Sequence, residues 1–296
     1  MAATGTVRGS FERPASRFRA RVTAAEPGRY HLYVSWACPW AHRTIVGRRL
    51  MGLERAVGLS VVDPVRDERG WRFSGGEYAD AVNGFEFLSQ AYEATEPGYD
   101  GRVSTPVLWD RETGRIVNNE SADILRMLVI DFAPLAEHPV DLYPPELRSR
   151  IDAVETLLYD GLNNAVYRAG FATSQEAYEA DARRVFTTLD ALERRLERSR
   201  YVLGERITEA DWRAFPTLVR FDAVYHGHFK CNRRRIVDYP ALWGYTRELY
   251  QQPGIAETVR LDEIKAHYYR THARINPTRI VPIGPDVDFS SPHGRG

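Results

Sequence analysis

The strongest constraint on the fold is a change of pattern at Tyr143-Pro144-Pro145. Before this point, short apolar segments typical of strands alternate with helical ones, and after it long amphipathic helical segments dominate. The chain has 296 residues, a length that favours two domains. We therefore predict an α/β domain over residues 1–140 and an all-α domain over residues 141–296, with the boundary within 134–148.

The spacing of apolar residues predicts the individual elements. Strands are predicted at 30–34, 56–62, 103–109 and 115–117. Helices are predicted at 40–51, 121–132, 148–163, 175–198 and 212–225. A capping box at Thr208-Glu-Ala-Asp211 opens the last of these helices. Residues 63–101 are predicted as a long loop, which in a compact domain is typically functional. The tail 276–296 is predicted as an irregular segment that is either packed along the surface or frayed.

The composition argues against several partners. Lys plus Arg and Asp plus Glu are both 40, so the formal net charge is zero, and neither nucleic acid nor an anionic membrane is an expected partner. No segment approaches the roughly 18 apolar residues of a membrane-spanning helix. Residues 1–30 contain no apolar run typical of a secretory signal. Two cysteines cannot supply a disulfide framework, so a reducing cytosol is the expected compartment.

A cysteine lies at the junction of the first strand and the first helix. Ser35-Trp-Ala-Cys38-Pro39 makes this connection, and Pro39 suits a first helical turn. There a thiol faces unpaired backbone N–H groups and the positive end of the helix dipole, and both stabilise a thiolate. Cys38 is therefore a candidate nucleophile; the alternative is a small buried apolar residue. No cysteine follows two residues later, so a nucleophilic Cys38 would form a mixed disulfide that a second thiol molecule resolves.

Two further segments each carry a structural and a functional interpretation. Thr105-Pro106 opens an apolar strand, where a proline is typically an edge or bulge residue. The alternative is a cis peptide bond that presents the Thr105 backbone to the cysteine. Glu120-Ser121 opens a helix, so simple N-capping is one interpretation. The other is that a hydroxyl and free N–H groups hold the carboxylate of a ligand.

The order and spacing of Cys38, Thr105-Pro106 and Glu120-Ser121 resemble the glutathione transferase superfamily. Cys38-Pro-Trp-Ala41 is similar to the cysteine motif of its Xi class, the glutathionyl-hydroquinone reductases. Segments resembling this class run from about residue 18 to residue 285. They are Gly70-Trp-Arg-Phe73, Pro106-Val-Leu-Trp-Asp110, Ile116-Val-Asn-Asn-Glu-Ser121, Asn163-Asn-Ala-Val-Tyr167, Gly170-Phe-Ala-Thr173, Gly227-His-Phe-Lys-Cys-Asn232, Ile275-Asn-Pro-Thr278 and Ile283-Gly-Pro285. The resemblance implies a thioredoxin-like domain with a cis-proline, followed by the all-helical C-terminal domain of a glutathione transferase.

The resemblance also implies roles for individual residues. Cys38 is the implied nucleophile. The residues implied to line the glutathione site are Trp71, Thr105, Glu120 and Ser121, and those implied to surround an aromatic substrate are Tyr167, Tyr225 and Tyr268. The chain departs from the usual family pattern at Thr105, where Val is more usual, and at Asn164-Ala-Val, where Asn-Gly-Val is more familiar.

The implied activity is the glutathione-dependent reduction of glutathionyl-hydroquinones, with glutathione as co-substrate. The resemblance implies a homodimer whose partners are glutathione and quinol-type aromatic conjugates, and the cysteine count predicts that it is cytoplasmic. Two alternatives remain: an omega-like thiol transferase or dehydroascorbate reductase, and a catalytically silent binding module with the same fold. His226-Gly-His228 with Cys231 matches no closed zinc pattern, so no metal is expected.

Overall fold

The computed structural model describes residues 8–295, which form two compact units. The first unit comprises Pro14–Tyr143 and Gln252–Thr271, and the second comprises residues 8–13, Pro144–Gln251 and residues 272–295. The C-terminal segment 252–271 thus belongs to the unit that contains the sheet. Residues 1–7, which belong to the N-terminal segment 1–30, lie outside the described residues, as does residue 296 of the tail.

The first unit is built on a mixed four-stranded sheet with the strand order β2-β1-β3-β4. The strands are β1 (Tyr30–Val34), β2 (Gly58–Val61), β3 (Val107–Asp110) and β4 (Arg115–Asn118). β1 and β2 are parallel, whereas β1 with β3 and β3 with β4 are antiparallel. A parallel pair needs a crossover connection, and this crossover contains the first helix.

The α-helices within residues 8–295 vary from seven to 22 residues in length. In chain order they are α1 (Pro39–Leu50), α2 (Ser89–Thr95), α3 (Ser121–Ile130), α4 (Arg148–Leu158), α5 (Ala165–Phe171), α6 (Gln175–Leu196), α7 (Glu209–Arg220), α8 (Pro240–Tyr250) and α9 (Leu261–Thr271). Short 3₁₀ helices occur at Ala133–Leu135, Pro145–Leu147, Ile236–Asp238 and Ala256–Thr258. Every helix of this part of the chain is too short or too polar to cross a membrane.

Four predicted elements differ from those observed. The strand predicted from residue 103 begins only at Val107, because Pro106 lacks a backbone N–H and follows a cis peptide bond. The loop predicted over 63–101 contains helix α2. The helices predicted over 148–163 and 212–225 each end in a π-helical turn, at Tyr159–Asn163 and Phe221–Tyr225. A single widened turn leaves the periodicity of apolar residues almost unchanged, so the sequence pattern does not predict it.

The second unit is organised around a buried carboxylate at the start of α7. The predicted capping box is present, because Thr208 and Asp211 cap each other's backbone N–H groups. Asp211 also accepts hydrogen bonds from Val202 N (2.9 Å) and Tyr245 Oη (2.7 Å). Burial raises the pKa of Asp211 above its usual value. These bonds satisfy a carboxylate that would otherwise be costly to bury.

The tail is irregular as predicted, and its described part packs on other residues of the second unit. Phe289 packs its ring against the rings of Trp243 and Tyr250, with both centroid distances 5.3 Å. Arg295 Nε lies 3.1 Å from Glu248 Oε2. Of the two interpretations of this segment, a packed one or a frayed one, the structure supports the packed one.

Candidate active site

Cys38 is the N-cap residue of α1. Strand β1 ends four residues earlier, and the Cys38 N–H closes the intervening turn by donating to the Ser35 carbonyl oxygen at 3.1 Å. The first intrahelical bond joins His42 N to Cys38 O (2.9 Å), and Pro39 occupies the first helical turn. Cys38 is 9% exposed. The predicted position of the thiol at a helix start is therefore confirmed.

The Thr105–Pro106 peptide bond is cis, and it lies beside this thiol. Cys38 Sγ donates to the Thr105 carbonyl oxygen at 3.5 Å. Tyr92 holds the preceding residue, because its hydroxyl donates to Ser104 O at 2.8 Å and accepts from Ser104 N at 3.1 Å. Of the two interpretations of Thr105-Pro106, the cis peptide next to the cysteine is the one observed. The Thr105 hydroxyl is buried and has no hydrogen-bond partner among the described residues.

Glu120 and Ser121 begin α3, with Glu120 as the N-cap residue. The Glu120 carboxylate accepts from Ala122 N at 3.3 Å and from Ser16 Oγ at 2.9 Å. The Ser121 hydroxyl accepts from a guanidinium N–H of buried Arg43 at 3.4 Å. The capping interpretation is therefore correct for Glu120. The carboxylate can still accept a hydrogen bond from a ligand, because an ionised carboxylate has about four lone-pair sites.

Trp71 lies in the long loop and is buried against α9. Its ring stacks on the imidazole of His267, with centroids 5.1 Å apart and an interplanar angle of 15°. The guanidinium of Arg66 lies 5.4 Å from the Trp71 ring centroid. The Trp71 carbonyl accepts from Leu88 N at 2.9 Å, which fixes the backbone at this residue. Trp71 is thus held by groups from two parts of the first unit.

Two of the three predicted tyrosines lie together in the second unit. Tyr167 of α5 and Tyr225, the last residue of a π-helical turn, have ring centroids 5.9 Å apart. Phe229 contacts both rings, at 5.4 Å from Tyr167 and 5.6 Å from Tyr225. We call these three residues and the adjacent Phe171 the aromatic cluster. Tyr268 lies on α9 in the first unit, the unit that contains Cys38.

Three residues near these side chains were not identified from the sequence. Arg13 stacks its guanidinium over the Tyr167 ring at 4.8 Å and donates to Asn164 Oδ1 at 2.9 Å. Tyr92 supports Ser104, and His267 supports Trp71. Each acts through a contact with a residue distant in sequence, so no local motif marks it. The only sequence feature that could have marked this region is the group of aromatic residues near Tyr167, and such residues are equally typical of an ordinary packed core.

Two of the three residues considered as metal ligands make other contacts: His228 with His272, and Cys231, whose Sγ donates to the Phe229 carbonyl oxygen at 3.9 Å. His228 stacks with His272 at 5.3 Å, and Nε2 of the former lies 3.2 Å from Nδ1 of the latter. Cys231 is fully buried, and burial raises the pKa of its thiol to about 12. Within residues 8–295, no three His, Cys, Asp or Glu side chains are grouped as a metal site would require.

The sequence matches two known domain families. Residues 37–129 match the glutathione S-transferase N-terminal domain, and residues 175–248 match the glutathione S-transferase C-terminal domain. Glutathionyl-hydroquinone reductase YqjG of Escherichia coli (strain K12) is 49% identical, over 99% of this chain and 94% of its own length. Glutathionyl-hydroquinone reductase PcpF of Sphingobium chlorophenolicum is also 49% identical, over 94% and 90%.

Solved structures give the same relationship. The glutathione-bound structure of YqjG is 52% identical and has a TM-score of 0.89, covering 92% of this chain and 89% of that one. The Xi-class transferase from Natrialba magadii is 50% identical with a TM-score of 0.92, covering 94% and 88%. The predicted fold class, an α/β domain followed by the helical domain of a glutathione transferase, is confirmed. The chain belongs to the Xi-class glutathione transferases, the family of the glutathionyl-hydroquinone reductases.

Proposed function

We propose that this protein reduces glutathionyl-hydroquinones to hydroquinones, with glutathione as the co-substrate. One observation carries the proposal: Cys38 is the N-cap residue of α1, so its thiol lies at the start of a helix. A thiol at a helix start is suited to nucleophilic attack, because the helix end favours the thiolate. The names of the relatives and the glutathione in the YqjG structure support this substrate and co-substrate.

The reaction proceeds in two steps, in each of which a thiolate attacks a sulfur atom. In the first, the Cys38 thiolate attacks the sulfur of the conjugate, a sulfur–sulfur bond forms, and the bond from sulfur to the aromatic carbon breaks. That carbon takes a proton and leaves as the hydroquinone, so the aromatic carbon is reduced and Cys38 is oxidised to a glutathione mixed disulfide. In the second step, the thiolate of another glutathione attacks this disulfide, which releases glutathione disulfide and restores Cys38.

Two groups of residues have separate tasks in this mechanism. Those that hold the glutathionyl part are Trp71, Thr105, Glu120 and Ser121. Those that contact the aromatic part and donate hydrogen bonds to its phenolic oxygens are Tyr167, Tyr225 and Tyr268. A phenolic leaving group needs such donors, and its ring packs well against aromatic walls. The proximity of Tyr167 to Tyr225 supports a shared role for these two.

Mass spectrometry after incubation with a glutathionyl-hydroquinone tests the mechanism directly. We expect an adduct of glutathione mass on Cys38, no adduct and no turnover in Cys38→Ala, and near-normal behaviour in Cys231→Ala. The second variant is a matched control, because it removes the other thiol of the chain. An active Cys38→Ala variant would contradict the mechanism. Turnover of simple mixed disulfides but not of the conjugate would indicate an omega-like thiol transferase, and no adduct at all would indicate a silent binding module.

Glutathione itself is the proposed resolving thiol. Glu120 and Ser121 can hold the charged γ-glutamyl end of glutathione, a group that thiols built on a sugar scaffold lack. We expect turnover with glutathione to exceed turnover with a sugar-based thiol. The opposite order would leave Glu120-Ser121 with a capping role alone.

The proposed enzyme is a cytoplasmic homodimer without a metal cofactor. Membership of the transferase family supports the dimer, and two buried thiols that form no disulfide suit a reducing compartment. Analytical ultracentrifugation tests the oligomeric state, and we expect twice the chain mass. Metal analysis of the purified protein tests the absence of a cofactor, and a stoichiometric metal would contradict it.

A further inference from the structure

A hairpin at the start of the long loop carries Trp71. Asp63 N donates to Arg72 O at 2.8 Å, and an isolated bridge pairs Asp67 with Gly70 closer to the tip. One arm of this hairpin contains Pro64 and the other contains Trp71. We call residues 63–72 the Trp71 hairpin.

One imidazole on α9 contacts both arms of the Trp71 hairpin. His267 Nδ1 lies 2.6 Å from the carbonyl oxygen of Pro64, and its ring stacks on Trp71 at 5.1 Å. A carbonyl oxygen can only accept, so the proton resides on Nδ1 of the imidazole. His267 is buried, so both contacts are sheltered from water. The next residue along α9 is Tyr268.

The segment that contains α9 is also fastened to the thiol-bearing part of the unit. The hydroxyl of Thr258 lies 2.8 Å from His42 Nε2 in the first turn of α1. The guanidinium of Arg260 lies over the Trp36 ring at 4.6 Å, two residues before Cys38. Together with His267, these contacts tie one short C-terminal segment to both the thiol and the Trp71 hairpin.

We infer that His267 is a positioning residue, which sets the place of Trp71 in the glutathione site and ties it to α9. This inference rests on the proposed function. The physical reason is that the bond from Leu88 N fixes the backbone of Trp71, whereas the buried imidazole of His267 lies flat on its indole ring and holds the facing arm by a directed hydrogen bond. Loss of His267 therefore loosens the wall that holds glutathione, while the sulfur chemistry at Cys38 stays intact.

Two complementary substitutions separate the two contacts. His267→Phe keeps a flat ring against Trp71 and removes the donor to Pro64. His267→Asn places an amide donor near the position of Nδ1 and removes the ring. We expect each to raise the Kd for glutathione, measured by calorimetry, and the KM for the conjugate by about tenfold. We expect kcat at saturating substrate to remain within about threefold of the wild-type value.

Glu77→Gln is the matched control, because it removes another contact between the long loop and the C-terminal segment, made by Arg260 just before α9. Glu77 Oε2 pairs with Arg260 at 3.1 Å, and the Glu77 side chain is 61% exposed, so this pair contributes little. We expect Kd and KM of Glu77→Gln to stay at the wild-type values. Folded His267 variants with an unchanged Kd, whatever their melting temperatures, would overturn the inference.

Hydrogen exchange on the wild-type protein provides a test that needs no variant. If His267 ties the Trp71 hairpin to α9, saturating glutathione slows amide exchange in peptides from both segments. Protection of the hairpin without α9 would overturn the inference. Glutathione binding is measured here without turnover, so a wild-type protein that binds glutathione but fails on the conjugate would refute only the proposed substrate.

Discussion

We predict that Gly170→Ala impairs the reduction of aromatic conjugates by displacing the aromatic cluster. A Cβ atom at residue 170 would lie 2.2 Å from Cγ and 2.3 Å from Cδ1 of Phe229. Carbon atoms in contact are normally about 3.5–4.0 Å apart, so the ring must retreat by more than about 1 Å. Phe229 is fully buried and stacks on Tyr225, so its movement displaces that tyrosine.

The magnitude follows from two opposing effects of the substitution. Overpacking of a buried site costs about 1–3 kcal/mol, and replacing glycine within a helix returns about 1 kcal/mol. We therefore expect a fall of about 1 kcal/mol in the free energy of unfolding, seen as a melting temperature lower by a few degrees. A displacement of about 1 Å in an active site lowers turnover by up to about a hundredfold.

The assay compares two substrates and a matched variant. Gly161→Ala is the control, because its Cβ would lie 2.2 Å from Thr188 Oγ1, a residue outside the aromatic cluster. We expect both variants to be destabilised, and only Gly170→Ala to lose turnover on a glutathionyl-hydroquinone. Reduction of a small non-aromatic disulfide should stay near normal in both. Full conjugate turnover in a folded Gly170→Ala would refute the role of the aromatic cluster.

Three further predictions concern single groups. Iodoacetamide at pH 8 should label Cys38 and spare Cys231 until the chain is unfolded, because burial raises the Cys231 pKa to about 12; peptide mapping measures both sites. Thr105→Val should keep activity and raise the melting temperature by a few degrees, because it removes a buried hydroxyl with no partner, a group that costs about 1–3 kcal/mol. Burial lowers the pKa values of His31 and His228 to about 4, so the unfolded chain binds more protons below pH 6.5. Each of the two should lower the free energy of unfolding in urea by about 2 kcal/mol between pH 7 and pH 5, so the fall in His31→Gln should be about 2 kcal/mol smaller than in the wild-type protein.

Local signals made the helix starts of the site predictable. Cys38-Pro39 and Glu120-Ser121 each open a helix in the structure, because proline and short polar or capping side chains act on the backbone next to them. The cis peptide at Thr105 could be posed only as an alternative, since residues on either side of a proline do not determine its isomer. The grouping of Thr105, Glu120 and Ser121 around Cys38 in one glutathione site was implied by the resemblance to a family and not by the spacing of these residues alone.

Contacts between distant segments were beyond the reach of sequence patterns. Nothing in the sequence around His267 or His272 indicates that the first stacks on Trp71 and the second on His228. The π-helical turn that ends at Tyr225 could not be predicted from the sequence either, because a single widened turn leaves the spacing of apolar residues in its helix unchanged. Such features depend on tertiary packing, which a single sequence does not state.

The bond from Cys38 Sγ to the Thr105 carbonyl exists only while the sulfur carries a proton. A mixed disulfide has no S–H, so the buried carbonyl then needs another donor, and an unpaired acceptor costs about 1–3 kcal/mol. A peptide N–H of the attached glutathione can supply it. We therefore compare the protein with N-acetylcysteine or 3-mercaptopropionate attached to Cys38 as a mixed disulfide; both adducts carry a carboxylate, and only the first has an amide N–H. We expect the melting temperature of the N-acetylcysteine adduct to be a few degrees higher. Equal melting temperatures would mean that water or another group satisfies the carbonyl.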